Sequence, residues 1–251
     1  MRPLSMRLAL ASLFLVWAHA ASAQTADDVI EKSLTALGGR AALGKVTSQS
    51  AAGTITLSTP GGDVSGPVEI LNAQPNKSRT LLKVDLSSLG AGQLVMDQRF
   101  DGTSGYVLDS LQGNRDITGS QLDTMKNGSF PHPFLTYKKM GATAQLGAKE
   151  KVGDRDAYPL TLDYPSGPVV HQYIDAETYL PIRVVATVNV PQLGRDIEQT
   201  TDLLDYRPID GVKVPFEIRS TSPVQNFTIA ITHVEHNVPV DNALFVKPPT
   251  P

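Results

Sequence analysis

The feature that most constrains this chain is an alternation of apolar and polar side chains that runs over residues 47–244. Ile55 and Leu57 alternate with polar neighbours, and Val68 and Ile70 repeat the pattern in the next segment. Successive side chains of a strand point to opposite faces, so the alternation predicts strands with one dry and one wet face. Turns rich in glycine, proline and aspartate separate the segments, which favours antiparallel neighbours.

The pattern predicts about ten or eleven strands but only two helical segments. So few helices cannot cross over every pair of strands, which excludes an α/β fold and leaves the α+β class. A sheet of this width must curl, split or close. No linker rich in proline, glycine or serine divides residues 24–251, so one domain is predicted there.

The first 23 residues have the features of a secretory signal peptide. Arg2 and Arg7 give a positive start, and an apolar run too short to span a membrane follows over residues 8–18. Ala21–Ala23 is a small-x-small cleavage site, and a cut after Ala20 is the alternative. Export through a cleaved signal peptide is therefore predicted.

The composition limits the environment and the partners of the exported chain. Removal of Arg2 and Arg7 leaves 20 basic and 25 acidic residues, a net charge of −5. An acidic surface without a basic cluster argues against nucleic acid and against docking on anionic lipid. Without cysteine, the chain cannot use disulfides or a lipidated N-terminal cysteine and must bury a real core. An exported, cysteine-free, mildly acidic chain points to the bacterial periplasm.

The first helical segment is predicted directly after the cleavage site. Thr25 and Asp28 have the spacing of a capping box, in which each side chain accepts a hydrogen bond from the other residue's backbone. Ile30 and Leu34 lie on one apolar stripe, and Gly38–Gly39 is predicted to end the helix.

The second helical segment is predicted inside the central stretch, residues 100–137. Thr118 and Gln121 have the spacing of another capping box. Asn127 and Gly128 are predicted to end this helix, because both tolerate a left-handed C-terminal cap. Apolar residues stiffened by two prolines follow.

Two interpretations of the central stretch remain open. The stretch is either a lid on the concave side of the sheet or an ordinary crossover helix that covers a core. In the first case, Leu122, Met125, Phe130, Phe134 and Leu135 would cover a ligand site.

The apolar side of the strands is either a ligand cavity or plain core, and we favour a cavity. A sheet this wide with two helices should leave part of its inner face uncovered. Hiding a sixteen-carbon acyl chain from water contributes on the order of 10 kcal/mol, at roughly 0.8 kcal/mol per methylene. The predicted cavity and lid residues are Ile55, Leu57, Val68, Ile70, Leu94, Met96, Tyr106, Leu108, Leu122, Met125, Phe130, Phe134 and Leu135.

No motif for catalysis or metal binding is present. The chain has no H-E-x-x-H, G-x-S-x-G, Walker or G-x-G-x-x-G sequence. On a strand, His233 and Glu235 would share a face while His236 points away, which gives too few ligands for a zinc site. His132 is interpreted as a loop residue and His171 as a solvated or hydrogen-bonded strand residue. We therefore predict no catalytic residue, metal or cofactor.

Several sequence elements follow one another in an order that is similar to one known family. After the signal peptide come a helix ending in TALGG, a run of strands, FDGTSGYVLD and an embedded helix, followed by YIDAETYLPIR, DYRPIDGVKVPFEI and LFVKP. This order resembles the LolA-like outer-membrane lipoprotein-sorting proteins, specifically their large periplasmic branch. The resemblance implies a curved, incompletely closed antiparallel β-barrel with an N-terminal helix and an embedded lid helix.

The same resemblance implies an activity. A LolA-like protein would hold a lipid or an acylated lipoprotein and move it across the periplasm, between inner- or outer-membrane donor and acceptor proteins. The leading hypothesis is therefore a non-catalytic periplasmic carrier or chaperone of hydrophobic ligands. The alternative is a periplasmic interaction or sensor module that recognises acylated or envelope proteins, and a hydrolase ranks third.

Overall fold

The computed structural model describes residues 24–190 and 194–249, so the predicted signal peptide, residues 1–23, lies outside the described residues. The described helices are α1 (Ala26–Ala36), α2 (Arg40–Lys45) and α3 (Gly119–Asn127). None of these helices is long and apolar enough to span a membrane. The strands are β1 (Ser48–Thr59), β2 (Gly62–Ala73), β3 (Lys77–Asp85), β4 (Gln93–Phe100), β5 (Gly105–Asp109), β6 (Arg115–Ile117), β7 (Thr143–Leu146), β8 (Glu150–Val152), β9 (Arg155–Asp163), β10 (Val170–Asp175), β11 (Pro181–Val190), β12 (Arg195–Ile209), β13 (Val212–Thr221) and β14 (Asn226–His236).

The described strands form one 14-stranded antiparallel sheet that does not close into a barrel. Its main order is β6-β5-β4-β3-β2-β1-β14-β13-β12-β11-β10-β9-β7, and β8 pairs with β9. The predicted α+β class and the incompletely closed barrel are confirmed. The additional strands β6, β7 and β8 have three or four residues each, too few to show an alternation in the sequence.

The strands at the two free edges of the sheet follow one another in the chain. Strand β6 forms one edge and β7 forms the end of the path at the other edge. The segment between them, residues 118–142, carries α3 and a short 3-10 helix, Pro133–Leu135. The central stretch therefore connects the two sides of the opening.

The core lies on one face of this curved sheet, the concave face. Val68, Leu82 and Met96 lie directly opposite one another on three neighbouring strands and mark this face. The apolar side of α1 is buried against it, with Ile30 and Leu34 in the same cluster. Burial of each such side chain contributes about 1.5–3 kcal/mol, which makes this face the main source of stability.

The N-terminal helix has the predicted caps. The Thr25 hydroxyl accepts from the Asp28 backbone N–H at 3.2 Å, and the Asp28 carboxylate accepts from the Thr25 backbone N–H at 2.9 Å. Gly38 follows with a φ of +124°, and a Cβ at that position would clash with the carbonyl oxygen of Gly211. Glycine is needed there because the β12–β13 turn approaches the helix end closely.

The ends of α3 differ from the prediction. Thr118 occupies the N-cap position, but its side chain makes no capping hydrogen bond. The helix ends at Asn127 as predicted, yet Gly128 has a φ of −76° and is not left-handed. Asn127 instead donates from Nδ2 to the Ser166 carbonyl at 2.8 Å. Asn76 of the β2–β3 turn donates to the carbonyls at the end of the helix, so a tertiary contact replaces the left-handed cap.

The end of the described chain lies over the convex face of the sheet. Arg99 Nη1 donates to the Val246 carbonyl at 3.2 Å, and Lys247 Nζ lies 4.5 Å from the centre of the Tyr106 ring. Lys247 also pairs with Asp116 at 3.1 Å, and Phe245 is buried. The convex face near β4–β6 is therefore covered.

Candidate functional site

A cavity of about 260 Å³ lies between the concave face and the loop that follows α3. Phe130–His132 covers it, and strands from both halves of the sheet form its walls. Most of its wall is apolar. The apolar and aromatic lining residues are Leu37, Val46, Ala51, Ile70, Phe130, Pro131, Leu203, Tyr206, Val212, Val214, Pro215, Ile218 and Ile231.

One end of the cavity is polar. Asn72, Gln49 and His236 lie directly opposite one another on β2, β1 and β14, and all three line the cavity. Residues opposite one another on neighbouring strands have their side chains on the same face. We call these three residues the polar row. The exposed Lys213 also contributes to the lining.

His236 is the most buried member of the polar row. Its side chain is 1% exposed, and Nδ1 lies 3.4 Å from the Asp210 carboxylate. That approach lacks hydrogen-bond geometry, so neither ring nitrogen of His236 has a hydrogen-bond partner among the described residues. Buried polar groups are normally hydrogen-bonded, which makes this ring an exception that needs an explanation.

The cover of the cavity contains a neutral histidine. Burial lowers the pKa of His132 to about 4, so the ring is uncharged at neutral pH. Its Nδ1 accepts from the Phe134 backbone N–H at 3.3 Å, which assigns the ring proton to Nε2. His132 lies in the loop before the 3-10 helix, as the sequence predicted.

Helix α3 is fastened to both halves of the sheet by a few polar contacts. Asn76, in the β2–β3 turn, donates from Nδ2 to the carbonyls of Met125 at 3.1 Å and Lys126 at 2.7 Å. On the other side, the Asn127 amide reaches Ser166 in the β9–β10 turn. The helix therefore bridges the opening of the half-barrel.

The part of the central stretch after α3 is anchored much more firmly. Phe134 is 1% exposed and belongs to the main apolar cluster. Tyr137 donates to Asp27 at 2.6 Å, and Lys138 pairs with the same carboxylate at 2.7 Å. The Lys138 and Tyr137 hydrogen bonds hold the pKa of Asp27 below its usual value. The two parts of the central stretch thus differ: Pro133–Leu135 packs as core, whereas α3 spans the opening, and its role as a lid stays a prediction.

The predicted site residues on β1–β4 share the concave face. Of these, Ile70 lines the cavity, and Ile55 and Val68 belong to the buried cluster. Leu57, Leu94 and Met96 pack against that cluster further from the cavity.

The predicted lid residues separate into three groups. Phe130 lines the cavity, whereas Phe134 and Leu135 belong to or pack against the buried cluster. Met125 is half-buried on α3, and its Sδ lies 3.9 Å from Gln98 Nε2. Leu122 is also half-buried on α3, away from the cavity lining.

Tyr106 and Leu108 lie on the convex face, not in the cavity. Tyr106 is opposite Arg99, and Leu108 is opposite Asp97, on the face away from Met96. Val107 is the inward-facing residue of this strand and is buried. The prediction that Tyr106 and Leu108 line the cavity is therefore wrong by one residue, because the inward-facing residue is Val107, between them.

Sequence analysis missed the cavity walls contributed by the second half of the sheet. Val212, Val214 and Ile218 alternate with polar or exposed neighbours in the same way as the residues on β1 and β2. This alternation could have indicated a buried face on β13. It could not have indicated that β13 and β14 lie beside β1.

The other histidines have ordinary surroundings. His233 Nε2 lies 3.0 Å from Glu235, with both side chains exposed, while His236 points the other way as predicted. His171 Nδ1 lies 3.0 Å from the Thr161 hydroxyl. Among the described residues, no group of three or more His, Cys, Asp or Glu side chains is arranged to hold a metal ion.

Comparison with known proteins identifies the fold. No family model and no curated protein matches the sequence. Solved structures do match, and three of them have a TM-score of 0.55 each. A LolA superfamily protein from Nitrosomonas europaea is 15% identical and covers 89% of this chain and 98% of its own. A DUF1329 family protein from Desulfovibrio piger is 12% identical, covering 88% and 97%.

The third structure is a domain from Vibrio parahaemolyticus named as an outer membrane lipoprotein-sorting protein. It is 12% identical and covers 87% of this chain and 97% of its own. At such identities the likeness concerns the fold. The chain has the LolA-like fold, as the resemblance in the sequence implied.

Proposed function

We propose that this protein is a non-catalytic periplasmic carrier that binds an acyl chain of a lipid or lipoprotein in the cavity below Phe130–His132. The observation that carries the proposal is an apolar cavity on the concave face, covered by a segment that bridges the sheet opening. Sequestering methylenes from water supplies the binding energy, at roughly 0.8 kcal/mol for each methylene.

The size of the cavity implies that the cover moves. Pockets for drug-sized ligands occupy about 300–1,000 Å³, and this cavity of about 260 Å³ lies below that range. A long acyl chain therefore fits only after the cover shifts. Helix α3 directly precedes this cover and is suited to shift with it, because it is half-exposed and its polar contacts to the sheet include those of Asn76 and Asn127.

The proposed setting follows from the signal peptide. Cleavage after residue 23 would release a single domain, residues 24–251, into the periplasm. A carrier there would receive its ligand from an inner-membrane donor and deliver it to an outer-membrane acceptor. The Vibrio parahaemolyticus domain, which is named for lipoprotein sorting and has a similar fold, supports a role in lipoprotein transport.

The alternative function is an interaction or sensor module that recognises acylated or envelope proteins. Native mass spectrometry of protein purified mildly from the periplasm separates the two. A bound lipid mass supports the carrier. A ligand-free mass, together with no uptake of the uncharged dye N-phenyl-1-naphthylamine, argues for the interaction module.

A disulfide across the opening should block ligand uptake. A Cβ added at Gly167 would lie 3.0 Å from the Asp123 Cβ, about half an ångström closer than the usual disulfide range. The double variant Asp123→Cys/Gly167→Cys has no competing cysteine. We expect its oxidised form to take up N-phenyl-1-naphthylamine at least tenfold more slowly than its reduced form.

The reduced form of the same variant is the control, because it carries the same substitutions, including the strain of a side chain at the positive φ of Gly167. Intact mass establishes how much of the protein is oxidised. Equal uptake rates in both redox states would show that the cover need not move at α3.

A further inference from the structure

The cavity has an unexplained polar end. An acyl chain alone needs only apolar walls, but the polar row places Asn72, Gln49 and His236 side by side on the concave face. The neutral His132 lies in the cover of the same cavity. These groups surround one end of the space, while Ala51 and Ile70 line the part next to it.

His236 has unused hydrogen-bonding capacity in a buried position on the cavity wall. Its side chain is 1% exposed, and both ring nitrogens lack a hydrogen-bond partner among the described residues. Leaving such a group unpaired destabilises the empty protein, and an occupant that supplies a partner removes this penalty. A neutral imidazole can donate from one nitrogen to an oxygen acceptor of a ligand.

We propose that the polar row, which includes the buried His236, binds the acyl carbonyl oxygen of a ligand. The chain of that ligand lies along the apolar wall of the cavity. This inference rests on the proposed carrier function and specifies its ligand as a chain with an ester, amide or carboxyl group at one end. Gln49 and Asn72 provide amide donors beside the ring. The Asp210 carboxylate near Nδ1 favours a neutral carbonyl over a carboxylate.

The charged groups around the polar row fit this assignment. Asp210 is the acidic neighbour of His236, at 3.4 Å, and is mostly exposed. Lys213 is the basic residue in the lining and is exposed at the margin of the cavity. The other two members of the polar row, Gln49 and Asn72, have uncharged amide side chains.

The test replaces His236 by phenylalanine, which keeps a ring and removes both nitrogens. Binding of methyl laurate and lauric acid is measured by displacement of N-phenyl-1-naphthylamine, which carries no carbonyl group. We expect His236→Phe to weaken methyl laurate about tenfold, the effect of one hydrogen bond, and to leave dye affinity within about twofold. His233→Phe, an exposed position on the same strand, should change neither.

The outcomes separate this inference from the function on which it rests. If wild-type protein binds no dye, the carrier function itself fails. If dye binds and His236→Phe holds methyl laurate as tightly as wild type, the carrier stands and the carbonyl site is wrong. Equal loss of dye and methyl laurate would also overturn the site, because it indicates a collapsed cavity. Weakening of both methyl laurate and lauric acid supports an acyl carbonyl shared by the two, whereas weakening of the acid alone would contradict the preference for a neutral group.

Discussion

Replacing Phe134 by alanine is expected to lower the free energy of unfolding by about 3–5 kcal/mol. The ring is 1% exposed and belongs to the main apolar cluster, between the cover loop and the anchor formed by Tyr137 and Asp27. Truncation removes the transfer free energy of the ring and leaves a space that its neighbours fill only partly. Urea unfolding followed by circular dichroism measures the change.

The matched control is Leu122→Ala on α3, in the same central stretch. Leu122 is half-buried and lies outside the main cluster, so its truncation should cost less than about 1.5 kcal/mol. A large loss for Leu122 with a small loss for Phe134 would reverse the division of the central stretch into cover and core.

A second large effect is expected on the convex face, from Asp97→Asn. The Asp97 carboxylate accepts from Arg79 Nε and Nη2, both at 2.8 Å, and from Arg99 Nη2 at 2.8 Å. The side chains of Asp97, Arg79 and Arg99 are 9%, 18% and 13% exposed. Removing the shared carboxylate charge leaves two partly buried guanidinium groups without their counter-charge, which should cost about 3 kcal/mol.

The pH dependence of this effect follows from the pKa of Asp97. Burial by itself raises that pKa, but the hydrogen bonds from Arg79 and Arg99 outweigh it and hold the pKa below its usual value. A lowered carboxyl pKa stabilises the folded protein fully above the unfolded pKa of about 3.9. The stability difference between wild type and Asp97→Asn should stay constant above about pH 5 and shrink as the pH falls through the folded pKa.

The exposed ion pair of Lys151 and Asp156, 2.9 Å apart, gives the control. Asp156→Asn should change stability little, because water and salt screen an exposed pair. A small effect of Asp97→Asn, similar to that of Asp156→Asn, would mean that the cluster on the convex face is not energetically buried.

The alternation in the sequence predicted correctly which side chains share the buried face where the strands are long. Ile55, Val68 and Met96 were predicted to share a face, and the strand register places all three on the concave face. Each of these strands has at least eight residues, so a shift of one residue would expose the whole apolar set.

The short strand β5 shows why the same method failed for part of the site. Tyr106, Val107 and Leu108 are three apolar residues in a row, so the alternation does not indicate which of them face inward. The outward residues are apolar because the end of the chain covers this part of the convex face, where Lys247 approaches the Tyr106 ring. That covering is a long-range contact with no local signal.

The polar row is also hidden from the sequence. Gln49 lies in the first strand of the chain and His236 in the last, and the two residues meet because β14 pairs with β1. The same holds for the C-terminal end of α3, where Asn76 of the β2–β3 turn donates to the helix carbonyls and no left-handed cap forms. Local patterns predict which residues are buried on a strand, whereas strand pairing decides which of them form a site.

The proposed carrier function requires that apolar ligands bind in the cavity on the concave face. Ala51 and Ala52 provide a direct test, because adjacent residues of a strand face opposite sides of the sheet. Ala51 is buried and lines the cavity, whereas Ala52 is exposed. Phenylalanine at position 51 fills the cavity, and phenylalanine at position 52 leaves it unchanged.

The measurement is the affinity of each variant for N-phenyl-1-naphthylamine, at a temperature at which circular dichroism shows both to be folded, since overpacking costs about 1–3 kcal/mol. We expect Ala51→Phe to lose at least tenfold in affinity and Ala52→Phe to match the wild type. Wild-type affinity in Ala51→Phe would show that apolar ligands bind elsewhere and would rule out this cavity as the ligand site.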